Sequence, residues 1–158
     1  MSGREHHYEV TVEWTGNTGN GTAKYFDYGR DHDITAPGKP LIRGSADPAF
    51  LGQKERWNPE ELLVAALSEC HMLTYFALCA RERIVVTAYT DAAAGTMTEE
   101  KGNSGRFTEV VLHPVVTIAD PADAERAAAL HHDANRDCFI AKSVNFPVLH
   151  EVEIRTGS

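Results

Sequence analysis

Apolar and polar positions alternate along residues 8–14, with Tyr8, Val10, Val12 and Trp14 on one face and Glu9, Thr11 and Glu13 on the other. That period of two predicts a half-buried strand. The glycine- and asparagine-rich stretch 16–21 predicts a chain reversal, and residues 22–28 and 32–35 read as two more short strands, so the chain opens as an antiparallel meander. Six prolines and glycines between positions 37 and 52 rule out a long regular element and leave a loop of about twenty residues, a length that is often functional. Residues 58–83 then form the longest apolar run. Asn58 suits an N-cap, Pro59 the first helical position, Glu60 and Glu61 the positive end of the helix dipole, and Arg81 and Arg83 its negative end. The run is apolar around most of its circumference, which predicts a central, buried helix.

Beyond it, residues 84–97 and 107–118 read as two strands of a long hairpin, with Pro114 marking an edge or a bulge. Asp120 and Pro121 repeat the cap-plus-proline opening and predict a second helix over 122–135. A short further helix capped by Asp137 is predicted over 137–143, and residues 148–155 alternate as a last strand. Strands, helix, strands, helix, strand is the order of an α+β fold with mainly antiparallel pairing, and 158 residues suit one domain spanning 1–158.

Charge and composition narrow the function. A formal net charge of −8 argues against a nucleic-acid partner. Glu69, His71 and Thr74 interrupt the central run, so no membrane span is expected. The first ten residues carry no apolar segment of the signal type, and three cysteines fit no disulfide framework. The expectation is a cytoplasmic protein.

The cysteines are the candidate chemistry. Cys79 lies nine residues after Cys70, on the opposite face of a helix, and reads as a small core residue. Cys70 sits among Ser68, Glu69 and His71, a less comfortable setting for a core position. Cys138 is expected at the N-terminus of a new helix, where the dipole favours a thiolate. His131, His132 and Cys138 are close in sequence, but no second close pair supplies a four-ligand zinc set. A cysteine hydrolase would need a base and an orienting group near the thiol, and no local signature supplies them. No GxSxG elbow is present.

The run Asn58-Pro59-Glu60-Glu61-Leu62-Leu63, then Ala65-Ala66, then Cys70, resembles the signature helix of the family of osmotically inducible protein C and organic hydroperoxide resistance protein. Residues 132–143, with Cys138 inside, resemble that family's second-cysteine region, and the resemblance covers most of the chain. It implies an OsmC-like fold, with antiparallel sheets wrapped around a long cysteine-bearing helix in an intertwined homodimer. It also implies a thiol peroxidase. Cys70 would be peroxidatic, attacking the O–O bond of an organic hydroperoxide and becoming a sulfenic acid. Cys138 would resolve it as a Cys70–Cys138 disulfide, and a dithiol or lipoyl-protein reductant would regenerate both thiols. An arginine would activate Cys70, with Glu60 holding that arginine. No metal, haem or other cofactor is implied.

Arg30, Arg43 and Arg56 all precede Cys70; Arg56, beside the helix cap, and Arg30, at a strand turn, are the favoured candidates, against the plain reading of solvated surface arginines. Ten residues of straight helix separate Glu60 from Cys70 by about 15 Å, too far for direct contact. Three positions depart from the family pattern: Glu69 and His71 stand where a small or apolar residue and a phenylalanine are usual, and Phe139 where proline is. Those departures keep a second expectation open, a non-catalytic small-molecule binding or redox-sensing protein on the same scaffold.

Overall fold

The computed structural model describes residues 3–157. The chain divides into two compact units, residues 1–62 and 63–158, with the boundary inside the first helix. In the first unit, β1 (Thr11–Trp14), β2 (His32–Thr35) and β3 (Ile42–Gly44) form an antiparallel meander. The expected strand over 22–28 is absent; those residues form turns. Instead the third strand comes from the 36–57 loop, which also holds a 3-10 turn at Pro48–Phe50. The alternating face of the first strand is not covered: Tyr8, Val10 and Val12 are 88%, 68% and 63% exposed.

Helix α1 (Pro59–Arg81) starts on a reciprocal capping box. The Asn58 side chain accepts from the Glu61 N–H at 2.8 Å, and the Glu61 carboxylate accepts from the Asn58 N–H at 3.2 Å. It ends in a Schellman motif: the Ile84 N–H donates to the Cys79 carbonyl at 2.8 Å and the Arg83 N–H to that of Ala80 at 3.2 Å. Arg83 occupies the left-handed position at φ 61°, where a Cβ is strained. Arg83→Gly is therefore expected to stabilise the fold by about 1 kcal/mol, read as a higher urea midpoint at unchanged slope; an unchanged or lower midpoint would refute the strain.

In the second unit the predicted hairpin is present, but both of its strands bend. The first divides into β4 (Val86–Asp91) and β5 (Ala94–Glu100), the second into β6 (Ser104–Leu112) and β7 (Pro114–Ile118). Pro114 is the first residue of β7, where the chain crosses from one sheet to the other. The bend is held by Asp91, whose carboxylate accepts from the His113 N–H at 2.6 Å and from the Ser68 hydroxyl of α1 at 2.5 Å. The C-terminal strand divides in the same way, into β8 (Val148–His150) and β9 (Glu153–Thr156). One sheet has the order β4-β7-β9 and the other β5-β6-β8. The pairing is mainly antiparallel, as expected; the exceptions are β8 on β6 and β9 on β7, which pair in parallel because the long return through the second helix brings the chain back in the same direction.

Helix α2 (Ala124–Asp137) follows a 3-10 turn at Pro121–Asp123, whose cap is Asp120. The short helix expected from Asp137 is only a 3-10 turn at Ala141–Ser143. Asp137 instead ends α2 and pairs with Arg136 at 2.9 Å. Cys138 is the C-cap of α2, so it sits at the negative end of that helix rather than at the thiolate-favouring end of a new one.

The core is built from single stripes. Along β6 and β7 every second residue is buried, Val110, Leu112, Pro114, Val116 and Ile118, and the alternation passes unbroken through the bend. On α1 the buried positions are Leu67, His71, Tyr75 and Cys79, spaced by four. Leu67 packs into the cluster with Val110, Leu112 and Val148, while Tyr75 and Cys79 pack with Ile84, Val116, Ile118 and α2. The rest of α1 is poorly covered. By length and composition it is apolar enough to cross a membrane, yet its buried residues are Leu67, His71, Tyr75 and Cys79. The expected central, buried helix is present along this stripe, while most of its other positions are only partly covered. Its exposed Glu69 and its stripe locked onto sheet and helix mark a core helix with apolar surface to spare.

Candidate functional site

Cys70 and Cys138 meet in the second unit. Cys70 stands one residue before the buried stripe of α1 and is half-buried; Cys138 closes α2 and is 1% exposed. Both are thiols in this structure, and the Cys70 thiol lies beside that of Cys138. Burial, and next the Cys70 thiol beside it, push the Cys138 thiol up to about 11; the Ala141 N–H, donating to Cys138 Sγ at 3.5 Å, works in the other direction. Cys138 is thus a protonated thiol at neutral pH. Cys79 lies on the far side of α1, 1% exposed, with its thiol pushed up by burial.

The surroundings of Cys70 are fixed from two sides. Thr74 Oγ1 donates to the Cys70 carbonyl at 2.9 Å, and Ser68, two residues upstream, is tied to Asp91. Glu69 is exposed. His71 points into the core, where it is 1% exposed. Its Nε2 lies 2.9 Å from Nδ1 of His131, which is itself fully buried. The His131 ring also stacks on Tyr75 at 3.8 Å, and the Tyr75 hydroxyl donates to the Ala127 carbonyl at 2.9 Å. His150 completes the cluster, with ring centroids 5.9 Å from His71 and 6.2 Å from His131. Burial above all holds His71 down at about 4 and His131 at about 3, so both are neutral at pH 7. Among the described residues no group of three or more His, Cys, Asp or Glu side chains is arranged to hold a metal ion.

The remaining predicted site residues belong to the first unit. Arg56 is paired there with Asp31 at 3.4 Å and Asp33 at 3.6 Å, and its Nη1 donates to the His32 carbonyl at 3.2 Å. Arg30 donates to the Tyr25 and Tyr28 carbonyls, and its guanidinium lies over both rings, 4.6 and 3.8 Å from their centroids. Arg30 and Arg56 are therefore structured groups, each with partners. Glu60 has one carboxylate oxygen buried without a hydrogen-bond partner. Helix α1 is unbroken from Glu60 to Cys70, so the separation of about 15 Å along it stands.

Two structural features beside the thiols escaped the sequence reading, the Asp91 bracket and the histidine pair. The second left a signal: His71 stands four residues from both Leu67 and Tyr75, and His131 falls on the 127, 131, 134, 138 face of α2.

Sheets bent around one long helix, with a second helix ending in a buried thiol beside a half-buried one, define an α+β protein with a neighbouring pair of thiols. The chain belongs to the OsmC-like protein family, whose model matches residues 52–153. An OsmC-like protein of unknown function from Vibrio cholerae is 31% identical, over 94% of this chain and 99% of that one, and superposes with a TM-score of 0.82. The uncharacterized protein YmaD of Bacillus subtilis is 22% identical over 97% of both chains. An organic hydroperoxide resistance protein from Elizabethkingia anophelis, 15% identical over 98% of this chain and all of its own, shares the fold with a TM-score of 0.65.

Proposed function

We propose that this protein is a thiol-dependent peroxidase that reduces organic hydroperoxides to alcohols. The observation that carries the reading is the meeting of Cys70 and Cys138, 68 positions apart in sequence, as neighbouring thiols. Their unequal burial supports the division of labour. Cys70 is the more accessible, and its thiolate attacks the terminal oxygen of ROOH; the O–O bond breaks, Cys70 becomes a sulfenic acid, and the alkoxide leaves to be protonated to ROH. Cys138, buried and protonated, waits behind it. Its sulfur displaces the sulfenic hydroxyl as water, and the disulfide forms. A dithiol or lipoyl-protein reductant restores both thiols by exchange and leaves as its own disulfide, which suits a reducing, cytoplasmic setting.

The departures from the family pattern at 69 and 71 are compatible with this chemistry, since one side chain points to solvent and the other into the core. A homodimer completes the reading. The partly covered apolar positions of α1, with Leu73 exposed, and the uncovered face of β1 favour a second copy as their cover. The unpartnered oxygen of Glu60 favours a cation from that copy, and Arg30 and Arg56 are the candidates to activate Cys70. Peptide mass spectrometry after one equivalent of cumene hydroperoxide is the direct test. A Cys70–Cys138 disulfide is expected; an unmodified Cys70 would sink the peroxidase reading and leave a binding or sensing role on this scaffold.

A further inference from the structure

Helices α1 and α2 meet along one buried face each. On α2 that face is Ala127, His131, Ala134 and Cys138. The two alanines carry no directional information. On α1 the matching stripe is Leu67, His71, Tyr75 and Cys79, with Cys70 beside it. The pairings run in opposite order along the two helices, Ala127 with Tyr75, His131 with His71, Cys138 with Cys70. His71 to His131 is the one hydrogen bond between side chains of the two helices among the described residues.

That bond is kept at a cost. Nδ1 of His71 and Nε2 of His131 are both buried without a partner, at roughly 1–3 kcal/mol for each unsatisfied group. A leucine pair would fill the same space without that penalty, but it would leave the Tyr75 hydroxyl on the Ala127 carbonyl as the one hydrogen bond between the two helices among the described residues. A 2.9 Å bond in an apolar surround fixes both translation and rotation. His71 is adjacent to Cys70, and His131 lies two turns from Cys138 on one face of α2, so whatever fixes the histidines fixes the thiols. The Tyr75 ring, stacked on His131 at 3.8 Å, holds the imidazole from its other side.

We infer that the His71–His131 hydrogen bond is a positioning device for the thiol pair: it sets α1 against α2 so that Cys138 meets Cys70 in line for disulfide formation. The inference rests on the two cysteines acting as a redox pair, as proposed above. Neither histidine touches the reacting sulfurs, and both act through the helices that carry them.

The position of the hydrogen-bonding atom gives the test. Asparagine at 131 places its amide where Nδ1 stands and can still meet His71. Glutamine reaches one methylene further, toward Nε2, and misses it. Wild type, His131→Asn, His131→Gln and His131→Leu are compared by the rate at which diamide, a thiol oxidant that needs no peroxidase step, closes the Cys70–Cys138 disulfide, and by the disulfide's potential against dithiothreitol. Asn is expected within about threefold of wild type. Gln and Leu are expected about ten- to a hundredfold slower, in keeping with what ångström-scale misplacement costs, with a more oxidising potential. Equal rates in Asn and Gln would overturn the inference even if the Leu variant does not fold, and so would a Leu variant that closes as fast as wild type. Wild type that closes with diamide but not with cumene hydroperoxide would remove the peroxidase chemistry and leave the positioning role standing.

Discussion

Cys70→Ser is expected to lower dithiol-dependent turnover of cumene hydroperoxide by about three orders of magnitude or more, because serine at neutral pH offers no nucleophile comparable to a thiolate. The two other cysteines separate the roles. Cys138→Ser is expected to reduce one equivalent of hydroperoxide at close to the wild-type rate and then to stall as a Cys70 sulfenic acid, trapped by dimedone. Cys79→Ala, on the far side of α1, is expected to keep turnover. Dithiol consumption and single-turnover peroxide loss report these outcomes. Full activity in Cys70→Ser would show that the peroxide reacts elsewhere, and loss of the first turnover in Cys138→Ser would reverse the assigned order of the thiols.

The second large effect is on stability in acid. His71 is held down at about 4 by burial first and then by His150, with Asp91 pulling the other way. His131 is held at about 3 by burial and then by His71, His150 and His132. Tyr75, Tyr89 and Cys79 are pushed up by burial and stay neutral, and His150, beside both imidazoles, is lowered by burial as they are. In the unfolded chain both imidazoles take up protons near 6.5. Stability from this pair is therefore complete above about pH 6.5 and is lost as pH falls toward 4, since the unfolded state then binds protons the folded state refuses. The two rings share one hydrogen bond, so their effects are not additive; about 2–3 kcal/mol is expected to be lost between pH 7 and 4.5. Urea midpoints at the two values measure it. A variant with His71→Gln and His131→Asn, which carries no imidazole at either position, is expected to lose correspondingly less. A variant with the same drop as wild type would place the acid sensitivity in other groups.

How far the sequence could be read depended on the range of the interaction. The Asn58 cap, the start of α1 and the general order of elements were legible because they follow from local chemistry within a few residues. The bends were not. Residues 84–97 and 107–118 read as continuous strands because the inward alternation from Val110 to Ile118 continues straight through His113, and the force that turns the chain there is Asp91, a partner 22 positions away. Asp137 looked like a cap for what followed, but Arg136 beside it claims its carboxylate and α2 runs on to it. Cys70 and Cys138 were legible as candidates from their settings in the sequence, and as a pair from the resemblance; their proximity depends on the packing of α2 against α1, which no local pattern encodes. The histidine pair was hidden because a histidine after a cysteine draws the eye to the thiol, although position 71 belongs to the stripe of 67 and 75.

The divided C-terminal strand bears on how the protein is made. The meander of the first unit pairs neighbours in sequence and needs nothing from downstream. Both sheets of the second unit wait for residues 148–156, since β8 and β9 are third strands in different sheets and each pairs in parallel with a strand some forty residues earlier. During synthesis, α1 and the bent hairpin thus emerge with a free edge on each sheet and with α2 still undocked. Pairings of such long range are slow to close, and open edges of this kind favour association with other chains. The interval before residues 148–156 appear is when the nascent chain has most need of a chaperone.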